Sequence, residues 1–155
     1  MQFRSADQAV RFAFRMRDRA EYARVSLSGS RGRGHGLSPL ELHGEAAVIL
    51  SKVNALPAGE RAAILARHTG DPAGVRALCN ALGPIQVPDN ALMLAVWHWS
   101  RNRPSVRGLA KATGVSYRQA YAWKSVVSRA CLQRYDAALN SLETVLFQPG
   151  GYERS

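Results

Sequence analysis

The stretch from Ser105 to Ser125, SVRGLAKATGVSYRQAYAWKS, limits the fold of this chain more than any other. Two short helices that meet steeply across a tight turn need a small residue at their contact, a turn residue free to take positive φ, and apolar inner faces. Ala110 supplies the small contact, and Gly114 stands where the first helix must end in a left-handed conformation. Val115 follows as an apolar plug, and Ser116 is placed to cap the next helix through its hydroxyl. The spacing predicts a helix-turn-helix over residues 105–125, with Leu109, Val115, Ala120 and Trp123 inward. Tyr117, Arg118, Tyr121, Ala122 and Ser125 then line the outer face of the second helix, with Ser116 at its start. In this type of motif that face enters the major groove of DNA. Any helix–Gly–helix corner in an all-helical core would share part of the pattern. Thr113 replaces the more usual aliphatic residue, and Gly108 inside the first helix costs about 1 kcal/mol against Ala.

The charge agrees with a polyanionic partner. The chain of 155 residues carries a formal net charge of +10 and a pI near 10.6. Residues 1–37 are net +5, residues 38–90 net −1 and residues 91–155 net +6. The half that holds the predicted motif is therefore basic, as phosphate contacts require. Arg101, Arg103 and Arg107 cluster at the entrance to the motif, where phosphates flank the groove. A merely soluble surface is the plainer explanation of the same excess.

Apolar residues make up 46% of the chain, enough for a core, and their helical periodicity predicts an all-α protein. Ser5 and Gln8 form a capping box that opens a basic amphipathic helix, with Ala9, Phe12 or Ala13, Met16, Ala20 and Ala23 on its apolar side. Arg11, Arg15, Arg19 and Arg24 lie largely elsewhere on it. Three divisions follow: a basic N-terminal helix at 1–25, a flexible Gly/Arg-rich linker at 26–37, and a compact multi-helix domain at 38–155. Within the last, Ser38-Pro39 with Glu41, then Pro57, then Asp71-Pro72, then Pro88-Asp89 each open a helix, and Gly70 and Gly83-Pro84 close two of them. Leu92, Val96 and Trp99 have the spacing of a helix that backs the motif. Beyond Ser125 the apolar pattern continues to Leu146, and Pro149-Gly150-Gly151 ends it.

Catalytic patterns do not emerge. The sequence contains no phosphate-binding G-x-x-x-x-G-K-[ST] loop, no G-x-S-x-G elbow and no H-E-x-x-H pair, and its few acids serve as helix caps or isolated charges. This predicts a binding protein and no enzyme, with no cofactor. Cys79 and Cys131 have no metal-ligand spacing to each other or to His35, His43, His68 or His98, so no metal site and no disulfide framework is expected. Those cysteines, with no apolar run of membrane-spanning length and no signal-peptide core, predict a cytoplasmic protein without a membrane partner.

The Leu-Pro, Glu-Arg and apolar-helix pattern of NALPAGERAAILARH, together with the later motif, resembles the promoter-reading C-terminal region of sigma factors. The C-terminal part from Ala91, in which a helical segment leads to Arg107-Gly108-Leu109-Ala110 and a trailing helix follows, resembles phage Q-type transcription antitermination proteins. That resemblance covers about the last two-fifths of the chain. It implies binding to double-stranded DNA near a promoter, loading onto RNA polymerase together with its sigma factor, and read-through of terminators. It would assign DNA contact to Arg107, Tyr117, Arg118, Tyr121 and Lys124, and polymerase contact to surfaces outside the motif, such as the basic N-terminal helix. A conventional repressor or activator remains open. It would act at initiation, as two copies on a palindromic site, and would dimerise through the apolar C-terminal helix. A DNA-packaging subunit and a single-strand RNA binder are the remaining alternatives.

Overall fold

A computed structural model describes residues 3–25 and 39–147 of the chain. The fold is all-helical, and its elements run α1 (Ala6–Val25), α2 (Pro39–Asn54), α3 (Ala58–Thr69), α4 (Pro72–Ala81), α5 (Asp89–Arg101), α6 (Val106–Thr113) and α7 (Tyr117–Leu146). They group into two compact units, residues 56–138 and residues 1–55 with 139–155. The division expected at 37/38 therefore does not coincide with the cut between units, because α2 belongs with α1. The linker at 26–37, Ser38 and Pro149-Gly150-Gly151 lie outside the described residues.

In the unit formed by residues 56–138, α3 and α4 run antiparallel. A Cβ on Gly59 at the start of α3 would lie 3.2 Å from that of Ala81 at the end of α4, and one on Gly74 would lie 3.3 Å from Leu65 Cβ. Asp71 caps α4 by accepting from the Ala73 N–H at 3.0 Å, with Pro72 in the first turn. The C-terminal ends of α3 and α5 satisfy each other. Arg67 Nη1 donates to the Trp99 carbonyl at 2.6 Å, its guanidinium 5.2 Å from the Trp99 ring centroid, while the buried Ser100 hydroxyl donates to the Ala66 carbonyl. Tyr135 of α7 closes this corner, its hydroxyl 2.8 Å from His68 Nε2 and its ring edge-on to Trp99 with centroids 6.0 Å apart.

The other unit holds α1, α2 and the last turns of α7. Ala9, Val10, Ala13, Phe14 and Met16 of α1 are buried, as are Ala46, Ile49 and Val53 of α2 and Leu142 and Leu146 of α7. Val10 and Phe14 extend the apolar side expected for α1, and Phe12 is half-buried and packs on Phe3 at 5.4 Å. Ser5 Oγ accepts from the Gln8 N–H at 3.2 Å, while Gln8 Oε1 accepts from the Arg4 N–H at 2.6 Å, one residue earlier than a standard capping box. Glu143 of α7 takes the next free amide of α1, accepting from the Ala6 N–H at 2.8 Å. A carboxylate there also answers the positive end of the helix dipole.

A single unbroken α7 replaces the expected pair of a second motif helix and a trailing helix. No Gly or Pro occurs between Tyr117 and Leu146, and Ala120, Val127, Cys131, Tyr135, Ala138, Leu142 and Leu146 are buried along it at helical spacing. Its 30 residues span about 45 Å.

Three glycines at the ends of helices take positive φ, Gly70 at 62°, Gly83 at 74° and Gly114 at 71°, and Gly70 differs from the others in its surroundings. Nothing lies within 4 Å of a Cβ on Gly114, whereas one on Gly70 would collide with the Arg101 guanidinium. Gly114→Ala is expected to cost about 1–2 kcal/mol from the left-handed backbone alone. Gly70→Ala should cost about the same, since the exposed Arg101 guanidinium is the far end of a flexible side chain and can swing aside, and the cost should be unchanged in an Arg101→Ala background; urea unfolding of the four variants checks both statements.

Candidate nucleic-acid interface

The corner between α6 and α7 is built from three local closures. Ser105 Oγ accepts from the Gly108 N–H at 3.0 Å and caps α6. At the other end Gly114 adopts the left-handed conformation, and the Val115 N–H returns to the Ala110 carbonyl at 3.1 Å, a bond that spans the turn. Ser116 Oγ then accepts from the Gln119 N–H at 3.2 Å and starts α7. The two residues that depart from expectation have local partners. Thr113 Oγ1 donates to the Leu109 carbonyl at 2.7 Å, so a hydroxyl is satisfied where an aliphatic group was expected. A Cβ on Gly108 would lie 3.1 Å from Pro104 Cβ, so the missing side chain makes room for the incoming turn.

His98 holds that turn from α5, its Nδ1–H donating to the Pro104 carbonyl at 2.8 Å. Behind the corner, Leu109, Ala120, Val96, Trp99 and Ala110 are buried, while Val115, Trp123 and Leu92 are half-buried. The expected inner face is thus present, with Val115 and Trp123 partly open to solvent.

Ser116, Tyr117, Arg118, Tyr121 and Ala122 are exposed, and Lys124 and Ser125 are half-buried. Tyr117 and Tyr121 retain 53% and 50% of their full exposure, which is large for aromatic rings in a helix. The rings stack, with centroids 6.3 Å apart and planes inclined by 27°. Lys124 Nζ stands 5.1 Å from the Tyr121 centroid. Residues 117, 121 and 124 therefore form one stripe, with Arg118 beside it. Arg103 and Arg107 are exposed at the approach to α6. Arg101 is also exposed, and its guanidinium lies against Gly70 at the C-terminal end of α3.

One signal in the sequence is stronger than the charge count over the three segments 1–37, 38–90 and 91–155. From Asn90 to Tyr135 there is no Asp or Glu, and eight basic residues: Arg101, Arg103, Arg107, Lys111, Arg118, Lys124, Arg129 and Arg134. None of the eight forms an ion pair among the described residues. Lys111 and Arg129 are exposed and join the candidate surface on this ground. Cations left without acidic neighbours keep their full attraction for phosphate.

Titratable chemistry is sparse. Among the described residues, no group of three or more His, Cys, Asp or Glu is arranged to hold a metal ion. The Cys79 thiol contacts Met93 Sδ at 3.8 Å and burial raises its pKa. Cys131 is fully buried on α7, and burial, with a smaller push from the nearby Cys79, drives its pKa up to about 12. The two thiols, distant in sequence, share one neighbourhood. No protein-family model, curated protein or solved structure matches the chain.

A raised thiol pKa means that the folded state holds this proton more tightly than the unfolded state. That contribution to stability is complete below an ordinary thiol pKa of 9.0 and is lost as pH climbs towards about 12. At pH 8 Cys131 should resist a thiol-exchange reagent in the native protein, Cys79 should react slowly, and both should react promptly in denaturant. Mapping the modified cysteine by mass spectrometry over time tests that order.

Proposed function

We propose that this chain is a sequence-specific DNA-binding regulator of transcription, which inserts the first turns of α7 into the major groove. The observation that carries the proposal is the exposed Tyr117–Tyr121–Lys124 stripe with Arg118, set in a segment of eight basic and no acidic residues. A capped α6, a left-handed turn at Gly114 and a capped α7 are what a helix-turn-helix needs to aim such a stripe outward. Arg118 is then the base-reading cation, since Arg pairs bidentately with guanine. Arg103 and Arg107, with Lys111, are the phosphate contacts that fix register.

Within that class, the likeness to Q-type antitermination proteins favours a regulator that binds beside a promoter, engages RNA polymerase and carries it past terminators. The dimeric repressor is supported less well. Its cheapest interface is the apolar stripe at the end of α7, and Ala138, Leu142 and Leu146 are already buried within the chain. Arg15 and Arg19 of α1 are exposed, as is Arg11, which pairs with Asp7 at 2.9 Å, and Arg15 and Arg19 offer a basic face to a second protein.

Two measurements test the proposal. Arg118→Ala is expected to weaken binding to the preferred duplex by about 1–3 kcal/mol and to relax base preference, while Arg103→Ala weakens binding to every sequence and lowers the salt slope by about one. Equal, sequence-blind losses from both variants would sink the assignment. Transcription in vitro with purified polymerase, on a template carrying the preferred site beside the promoter and an intrinsic terminator downstream, tests the polymerase step. Read-through that needs both the protein and the site is the expected result; changed initiation with unchanged read-through would return the protein to the conventional regulators.

A further inference from the structure

Two tyrosines are an unusual choice for a helix face meant to read DNA, because neither hydroxyl nor ring matches the bidentate pairings that Arg, Asn or Gln make with base edges. Their arrangement narrows what they can contact. Tyr121 has Tyr117 against it one turn earlier and the Lys124 ammonium against it one turn later. A base that stacks on an aromatic side chain needs an open ring face, as single-strand binders provide. Tyr121 thus has a neighbour one turn to either side, and each ring still keeps about half of its exposure.

In the major groove the apolar feature that distinguishes one base from the rest is the thymine C5-methyl group. The surroundings favour duplex DNA as the occupant. Arg118 adjoins the stripe, Arg107 and Lys111 stand on the preceding helix, and no acidic residue occurs between positions 90 and 135 to repel phosphates. Resting on the DNA-binding role proposed above, we propose that Tyr117 and Tyr121 form an apolar reading surface for thymine methyl groups. They do so beside the base pair contacted by Arg118. The two residues are separated by about 6 Å along the helix axis. Against a rise of about 3.4 Å per base pair, they reach methyl groups on adjacent or next-but-one steps. The preferred site should then carry a thymine pair, as TT or TNT, next to a guanine. Lys124 acts here as a positioning residue: its ammonium holds the Tyr121 ring against rotation and brings positive charge to the groove edge.

The test starts from the full chain and a random duplex pool, from which the protein selects its preferred site. Each thymine of that site is then replaced singly by uracil, which removes the methyl and leaves base pairing intact. Removal of one buried methyl should weaken binding about four-fold. The expected result is such a loss at one or two positions for the wild-type protein, with no loss at the remaining thymines. The same loss should persist in Tyr117→Phe and Tyr121→Phe, which keep the ring edge, and in Arg118→Ala. It should disappear in the double variant Tyr117→Ser, Tyr121→Ser. The wild-type measurement needs no variant to fold, so the proposal stays exposed even if the double variant fails.

Uracil without effect at every position, while Arg118→Ala still relaxes base preference, would overturn methyl reading and leave the DNA-binding role standing. A methyl effect that survives the double serine variant would overturn the assignment to these tyrosines. A pool that yields no enriched duplex, or tighter binding to the single strand of the selected sequence, would remove the DNA-binding role and this proposal together.

Discussion

Unsatisfied backbone groups at helix ends set the hardest constraint on a small helical protein, and the unit around α3, α5 and α7 is arranged around that constraint. The last carbonyls of a helix have no partner within it, and leaving them dry costs stability. Arg67 on α3 serves the end of α5 at the Trp99 carbonyl, and Ser100 on α5 serves the end of α3 at the Ala66 carbonyl. Arg101 lies over the left-handed turn at Gly70, and Tyr135 from α7 seals the pair by contacting both His68 and Trp99. Each contact is ordinary in strength. Together they fix the end of α5, and α5 determines where the next turn begins.

From the end of α5 the dependence runs outward to the candidate surface. His98, one turn before the α5 terminus, holds the Pro104 carbonyl, and Pro104 fills the space left open by Gly108 in α6. The position of α6 sets Ala110, whose carbonyl receives Val115 across the turn, and Ser116 then launches α7. Only after this relay do Tyr117 and Tyr121 stand out in solvent. A cation at 101, 103 or 107 therefore has two uses open to it, within the corner or towards a phosphate. The contact of Arg101 with Gly70 makes it the most structural of the three.

Much of this was legible in the sequence because it is local. Caps and stops need only a few consecutive residues, so Gly114, Ser116, Gly70 and Asp71-Pro72 could be placed from the letters alone, and each ends or begins a helix in the structure. Periodicity likewise located Val96 and Trp99 of α5 and Leu109 of α6, while Leu92 is half-buried. What stayed hidden depends on residues far apart in the chain. Nothing near Arg67 announces Trp99, nothing near Glu143 announces the first amide of α1, and nothing near Cys79 announces Cys131. Trp123 and Val115 are half-open where periodicity puts them inside, since a period gives a direction and no measure of what covers it. The missing acids between Asn90 and Tyr135 were legible throughout; counting charge by larger segments diluted them.

The cut between the two compact units falls inside α7. Residues up to Ala138 belong to the unit that carries the candidate surface, and residues from Leu139 belong to the unit that contains α1 and α2. One helix without Gly or Pro carries both sets of contacts. Glu143 holds the first free amide of α1 on the same helix whose opening residues form the tyrosine stripe. The buried stripe of α7 therefore serves two cores, Val127, Cys131 and Tyr135 in one and Leu142 and Leu146 in the other, so a polar substitution at either end of α7 removes apolar burial from a different core.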